Sequence, residues 1–98
     1  MNTCSYESFF VHFANRTKLA IIQELMDGPR SVSEMAHALG SEQSKISHNL
    51  STLLYCNIIT VQQEGKKRIY TLNKKTVLPM MKIVQEHVQC FCKECRKL

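Results

Sequence analysis

Apolar residues recur every three or four positions through the first half of the chain. Near residue 58 the spacing shortens to two, and helical spacing returns after residue 76. The pattern predicts four helices, a β-hairpin and a last helix. Tyr6, Phe9, Phe10 and Phe13 place an aromatic stripe on a first helix, read as a core or dimer face. Asn15 suits the N-cap of a second helix with Leu19, Ile22, Leu25 and Met26 inward, and Asp27, Gly28 and Pro29 break it. Ser31 and Glu34 have capping-box spacing and open a short helix lined by Val32, Met35, Ala36 and Leu39, which Gly40 ends.

Ser41 is expected to cap the next helix, which turns Ile46, Leu50, Leu53 and Leu54 inward. Gln43, Ser44, Lys45, Ser47, His48, Asn49 and Ser51 are then expected to point outward. Such short polar side chains suit the edges of base pairs. Asn57 stands where a left-handed helix end is expected, and residues 58–63 turn β-rich. A tip of Glu64, Gly65, Lys66 and Lys67 leads into a return strand over 68–72, so that Lys66, Lys67 and Arg68 are placed to meet phosphates. Asn73 is expected to cap the last helix, whose Val77, Leu78, Met80, Met81, Ile83, Val84 and Val88 form more than one apolar stripe, and Pro79 is tolerated in its first turns. The whole predicts a mostly α, α+β winged helix-turn-helix of about five helices and a two-stranded hairpin wing.

Composition narrows the class. The chain has 98 residues, is 44% hydrophobic, and has no apolar run of membrane-spanning length, so residues 1–98 are read as a single domain with no membrane partner. A chain this small buries little more than about 60% of its unfolded surface, which favours pairing with a second copy through terminal helices. A net charge of +5 is consistent with a polyanionic partner. The first residues show no signal-peptide pattern, so a cytoplasmic protein is expected, with its five cysteines as thiols rather than a disulfide frame. No Ser/His/Asp constellation, paired-carboxylate site or phosphate-cradling glycine loop is present, and three glycines leave little room for one, so an enzyme is not expected.

The segment Asn15-Arg16-Thr17-Lys18-Leu19-Ala20-Ile21-Ile22, the segment Ser47-His48-Asn49-Leu50-Ser51-Thr52-Leu53 and the wing Gly65-Lys66-Lys67-Arg68-Ile69-Tyr70 together resemble the ArsR/SmtB family of transcriptional repressors. The second resembles that family's S-x-H-L-x-x-L recognition helix, with Asn49 where a second histidine is common. The resemblance implies a symmetric homodimer held by its first and last helices. It also implies a roughly palindromic double-stranded operator, read by one recognition helix per half-site and released when an effector binds.

Of the family's usual sensing sites, one is absent and one is at best half present, its second half echoed by His87-Val88-Gln89-Cys90. The C-x-C of many metal sensors is here Ser31-Val32-Ser33, and Lys74 and Thr76 stand where partners of a zinc site on the last helix belong. What remains is His87, Cys90, Cys92 and Cys95. Three thiolates suit arsenite, and the same thiolates with the imidazole suit zinc. At about 100° per residue Cys90 and Cys92 fall on nearly opposite faces of a helix, so the set converges only where the helix frays after Cys90. Cys4, expected beside the last helix, is a further candidate ligand or redox partner. Cys56 reads as a small apolar residue, and His12 and His37 lack ligand-type spacing. The alternatives left open are a regulator without effector, a thiol/disulfide-responsive repressor, and a winged helix that binds protein.

Overall fold

The computed structural model describes residues 4–91. Among them are five helices, α1 (Tyr6–Ala14), α2 (Arg16–Met26), α3 (Val32–Leu39), α4 (Gln43–Tyr55) and α5 (Val77–Cys90). Three strands, β1 (Arg30–Ser31), β2 (Ile59–Glu64) and β3 (Lys67–Leu72), form an antiparallel sheet in the order β1-β3-β2. The fold is the expected winged helix-turn-helix with one correction. The wing is three-stranded, because Arg30 and Ser31 pair with Tyr70 and Ile69 of β3.

Local chemistry explains the boundaries. Asn15 accepts the Lys18 N–H through its side chain (2.9 Å) and starts α2. Ser31 and Glu34 cap each other reciprocally: the Glu34 N–H donates to Ser31 Oγ (3.2 Å) and the Ser31 N–H to Glu34 Oε1 (2.8 Å). Hydrogen bonds to the Glu34 carboxyl from the Ser31 backbone N–H and then the Ser31 side chain hold it below its ordinary pKa, helped by Lys67 and Arg30. Gly40 ends α3 at φ 60°, and Asn57 follows α4 at φ 57°, both as their positions demand.

Two caps differ from expectation. Ser41 does not cap α4, which starts after Glu42 without a side-chain cap. Instead the Ser41 N–H donates to Ala36 O (3.0 Å) and closes the left-handed end of α3. Asn73 does not cap α5 either. Its Oδ1 accepts from the N–H groups of Lys75 and Thr76 (3.0 and 3.3 Å) and organises the turn before the helix, while its Nδ2 donates to Asn57 O (3.0 Å). One asparagine therefore ties the exit of α4 to the entry of α5. Pro79 is the third residue of α5, where its missing N–H costs no helical bond.

The core joins α2, α3, α4, the sheet and the start of α5. Ile21, Ile22, Met35, Ile46, Leu50, Leu53, Ile58, Ile59 and Leu72 are all but sealed from solvent, with Val77 and Met81 closing one side. Leu50 and Leu53 fix the roll of α4, and Tyr70 and Leu72 root the wing in the same core. Helix α4 and the wing are thus two parts of one packed body. Among the described residues, no helix is long and apolar enough to cross a membrane.

Candidate nucleic-acid interface

With Ile46, Leu50 and Leu53 inward, α4 presents Gln43, Ser44, Lys45, Ser47, His48 and Ser51 to solvent. The strip is a row of short hydrogen-bonding groups with one cation near the helix start. The Ser51 hydroxyl donates to Ser47 O (3.2 Å), which orients its oxygen as an acceptor.

Asn49 does not belong to this strip. The sequence pattern places it outward, but it is 9% exposed and its Nδ2 donates to Lys45 O at 2.8 Å. The physical reason is its phase: Asn49 lies one turn from both Ile46 and Leu53, on the flank of the buried stripe, and an amide bonded to the helix's own backbone tolerates that position. Thr52 behaves similarly, donating to Asn49 O (2.8 Å).

The wing places Lys66, Lys67 and Arg68 at its tip, all exposed. Gly65, at φ 62°, permits the two-residue turn. Lys67 stands opposite Glu64 and Arg68 opposite Gln63 in the ladder, and the Arg68 guanidinium lies 5.9 Å from the Tyr70 ring centroid. Arg30, whose role the sequence leaves undecided, is paired with Glu24 (3.5 Å) and is half-buried.

The cysteines divide. His87 and Cys90 lie one turn apart on the exposed end of α5, with the His87 ring stacked on Phe91 at 5.7 Å. Cys92 and Cys95 lie outside the described residues. Among the described residues no three His, Cys, Asp or Glu side chains gather closely enough to hold a metal ion. Cys4 lies near Cys56, a neighbour that sequence reasoning missed. Burial, followed by the neighbouring Cys4, pushes the Cys56 thiol up to about 11. Nothing in the spacing of two residues so far apart in the chain signals their nearness. His12, which has no ligand-type spacing in the sequence, has its Nδ1 buried with no hydrogen-bond partner, and burial together with nearby Lys18 lowers its pKa.

Residues 15–61 match the model of the arsR family of bacterial regulatory proteins. The arsenical resistance operon repressor of Bacillus subtilis is 34% identical over 73 residues, covering 74% of this chain and 70% of that one. The chain belongs to the ArsR family. The HTH-type transcriptional regulator NmtR of Mycobacterium tuberculosis is 34% identical over 59 residues, which are 60% of this chain and 49% of that regulator. The chain thus spans about half the length of that relative. These ArsR relatives are named as regulators and not as enzymes. Among solved structures, a homodimeric winged helix-turn-helix DNA-binding domain from Mycobacterium bovis superposes with a TM-score of 0.75 at 26% identity, covering 81% of this chain and 73% of that one.

Proposed function

We propose that this ArsR-family chain is a transcriptional repressor in the cytoplasm that binds double-stranded DNA as a homodimer. The observation that carries the reading is the joint placement of the α4 strip and the cationic wing tip on one packed body. A helix set in the major groove brings such a wing against the neighbouring phosphates. Residues 1–98 act as one DNA-binding unit whose first and last helices join the protomers.

Support for the dimer comes from apolar surface that one copy leaves uncovered. Tyr6, Phe10 and Val11 of α1, and Ile83, Val84 and Val88 of α5, are exposed, with Ile83 at 67%. A groove of about 620 Å³ beside them, between α2 and α5, is lined by Leu19, Met26, Met81, Val84 and Val88 together with the polar Gln23, Asp27, Lys82, Gln85 and Gln89. Surface of this kind marks an interface, and the related M. bovis domain is itself homodimeric.

The α4 strip is the reader of sequence. Replacing Gln43 and His48 together by alanine is expected to weaken binding to the chain's own upstream DNA at least tenfold and to leave binding to scrambled DNA nearly unchanged, because base contacts carry discrimination. Competition titrations with the two DNAs decide it. Equal losses on both would remove α4 from the role of reader.

The effector in this reading is arsenite or zinc, taken by Cys90, Cys92 and Cys95 with His87. Its support is the pairing of His87 and Cys90 on the last turn of α5 and a relative named for arsenical resistance. Arsenite added to the reduced protein on DNA is expected to release it, and Cys90→Ser to block the release. Release undiminished by Cys90→Ser, Cys92→Ser and Cys95→Ser together would place the effector site elsewhere.

A further inference from the structure

From Gly65 to Gln85 the chain carries Lys66, Lys67, Arg68, Lys74, Lys75 and Lys82 and no aspartate or glutamate. The first three are the wing tip. Lys74 and Lys75 fall at the other end of β3, on the turn that leads into α5, and both are exposed. That turn is firmly held. The Asn73 N–H donates to Ile58 O (3.0 Å), its Nδ2 donates to Asn57 O (3.0 Å), and its Oδ1 accepts from the Lys75 N–H (3.0 Å). The two ammonium groups are therefore carried on backbone anchored to the exit of α4.

The ladder decides what lies beside them. Ile59, Tyr70 and Leu72 turn into the core, so Thr60, Gln62 and Thr71 face outward, with Thr60 directly opposite Thr71. Those three line a cleft of about 390 Å³ at the base of the wing, together with Leu72, Asn73, Lys74 and Lys75. No carboxylate lines it. The Thr60 hydroxyl donates to Thr71 O (3.5 Å), whereas the Gln62 amide, the Thr71 hydroxyl and both ammonium groups have no partner among the described residues. The tip differs, since Lys67 stands opposite Glu64 and has Glu34 near it. The wing base is thus a concave set of free donors with two uncompensated positive charges, the surroundings that anionic oxygens favour.

Strand length points to the kind of anion. Lys74 is six residues beyond Arg68, which at about 3.3 Å per residue puts the two ends of the wing up to about 20 Å apart. A lone phosphate would fill one end only. A nucleic-acid strand, with a phosphate about every 3.4 Å along the duplex axis, meets both ends at once, about six phosphates apart.

We propose that the wing base, Lys74 and Lys75 with Gln62 and Thr71, holds the phosphate backbone of duplex DNA flanking the segment read by α4, with β3 lying along the duplex. The contact rests on the DNA-binding reading above and adds length to the bound segment without adding sequence discrimination. Two cations in each protomer of a dimer add up to about 3.6 to the slope of log affinity against log salt.

The test is fluorescence anisotropy with two duplexes that share the upstream core sequence protected by the protein. One ends at that core, and the other carries about ten further base pairs of arbitrary sequence on each side, a single helical turn. The unsubstituted chain is expected to bind the longer duplex at least fivefold more tightly near physiological salt, with a steeper salt slope. Lys74→Ala with Lys75→Ala should abolish both differences and leave binding to the short duplex unchanged. Lys74→Arg with Lys75→Arg, which keeps the charges, should retain both. Equal losses on the two duplexes, or an alanine variant that still gains from the flanks, would overturn the assignment. An unsubstituted chain that binds the core duplex and gains nothing from the flanks would overturn the wing-base contact alone, whereas one that binds neither duplex would count against the DNA-binding reading and the contact with it.

Discussion

Changing Lys66, Lys67 and Arg68 together to alanine is expected to weaken DNA binding on the order of a hundredfold near physiological salt, by about the same factor on specific and scrambled DNA. All three side chains are exposed, and the wing is held by Tyr70, Leu72 and the β2–β3 ladder rather than by its tip. The fold should therefore survive, with an unchanged circular dichroism spectrum. Each phosphate deprived of its cation removes roughly 0.9 from the slope of log affinity against log salt, so a dimer should lose up to about five units. The slope separates DNA binding from a winged helix that binds protein, for which the same substitutions would leave both affinity and slope as they were. Fluorescence anisotropy across a salt series reads both quantities.

The second large effect concerns α5. Ile83→Glu places a carboxylate on a helix face that is open in one protomer and covered in the proposed dimer. The single chain loses nothing by it. The dimer would have to bury an unpaired charge, a cost of several kcal/mol. Sedimentation should show monomers at concentrations where the parent protein is paired. Operator affinity should then fall by about 10²–10⁴, because the two half-sites are no longer bound as one linked pair. A variant that stays dimeric would move the interface away from this face of α5.

Most of the fold is legible in the sequence because it rests on local chemistry. The Ser31–Glu34 capping box, Asn15 at the start of α2, and the left-handed Gly40 and Asn57 are signals contained within a few residues, and each marks the boundary it promises. Ser41 and Asn73 show where such reasoning stops. Both residues have the right chemistry for an N-cap, yet their hydrogen bonds go to the end of α3 and to the turn before α5, because the chain takes extra residues to change direction. Strand β1 has no pattern of its own. Two residues become a strand only because β3 offers its free edge.

The same division runs through the candidate site. The wing tip can be read from three consecutive cations, and most of the α4 strip from the phase of Ile46, Leu50 and Leu53. Asn49 misleads because its residue type suggests an outward position while its phase lies on the buried flank. The nearness of Cys4 to Cys56 is invisible in the sequence, since the two lie far apart in the chain and only the tertiary fold brings them near each other.

Whether α4 and the wing bind DNA as one surface is decided by anisotropy of the fully reduced protein on its own upstream DNA and on a scrambled duplex, across a series of salt concentrations. Binding to the upstream sequence should be tight and fall steeply with salt, with the scrambled duplex bound far more weakly. Equal, weak binding to both duplexes at every salt concentration would contradict a DNA-reading surface built from these two elements.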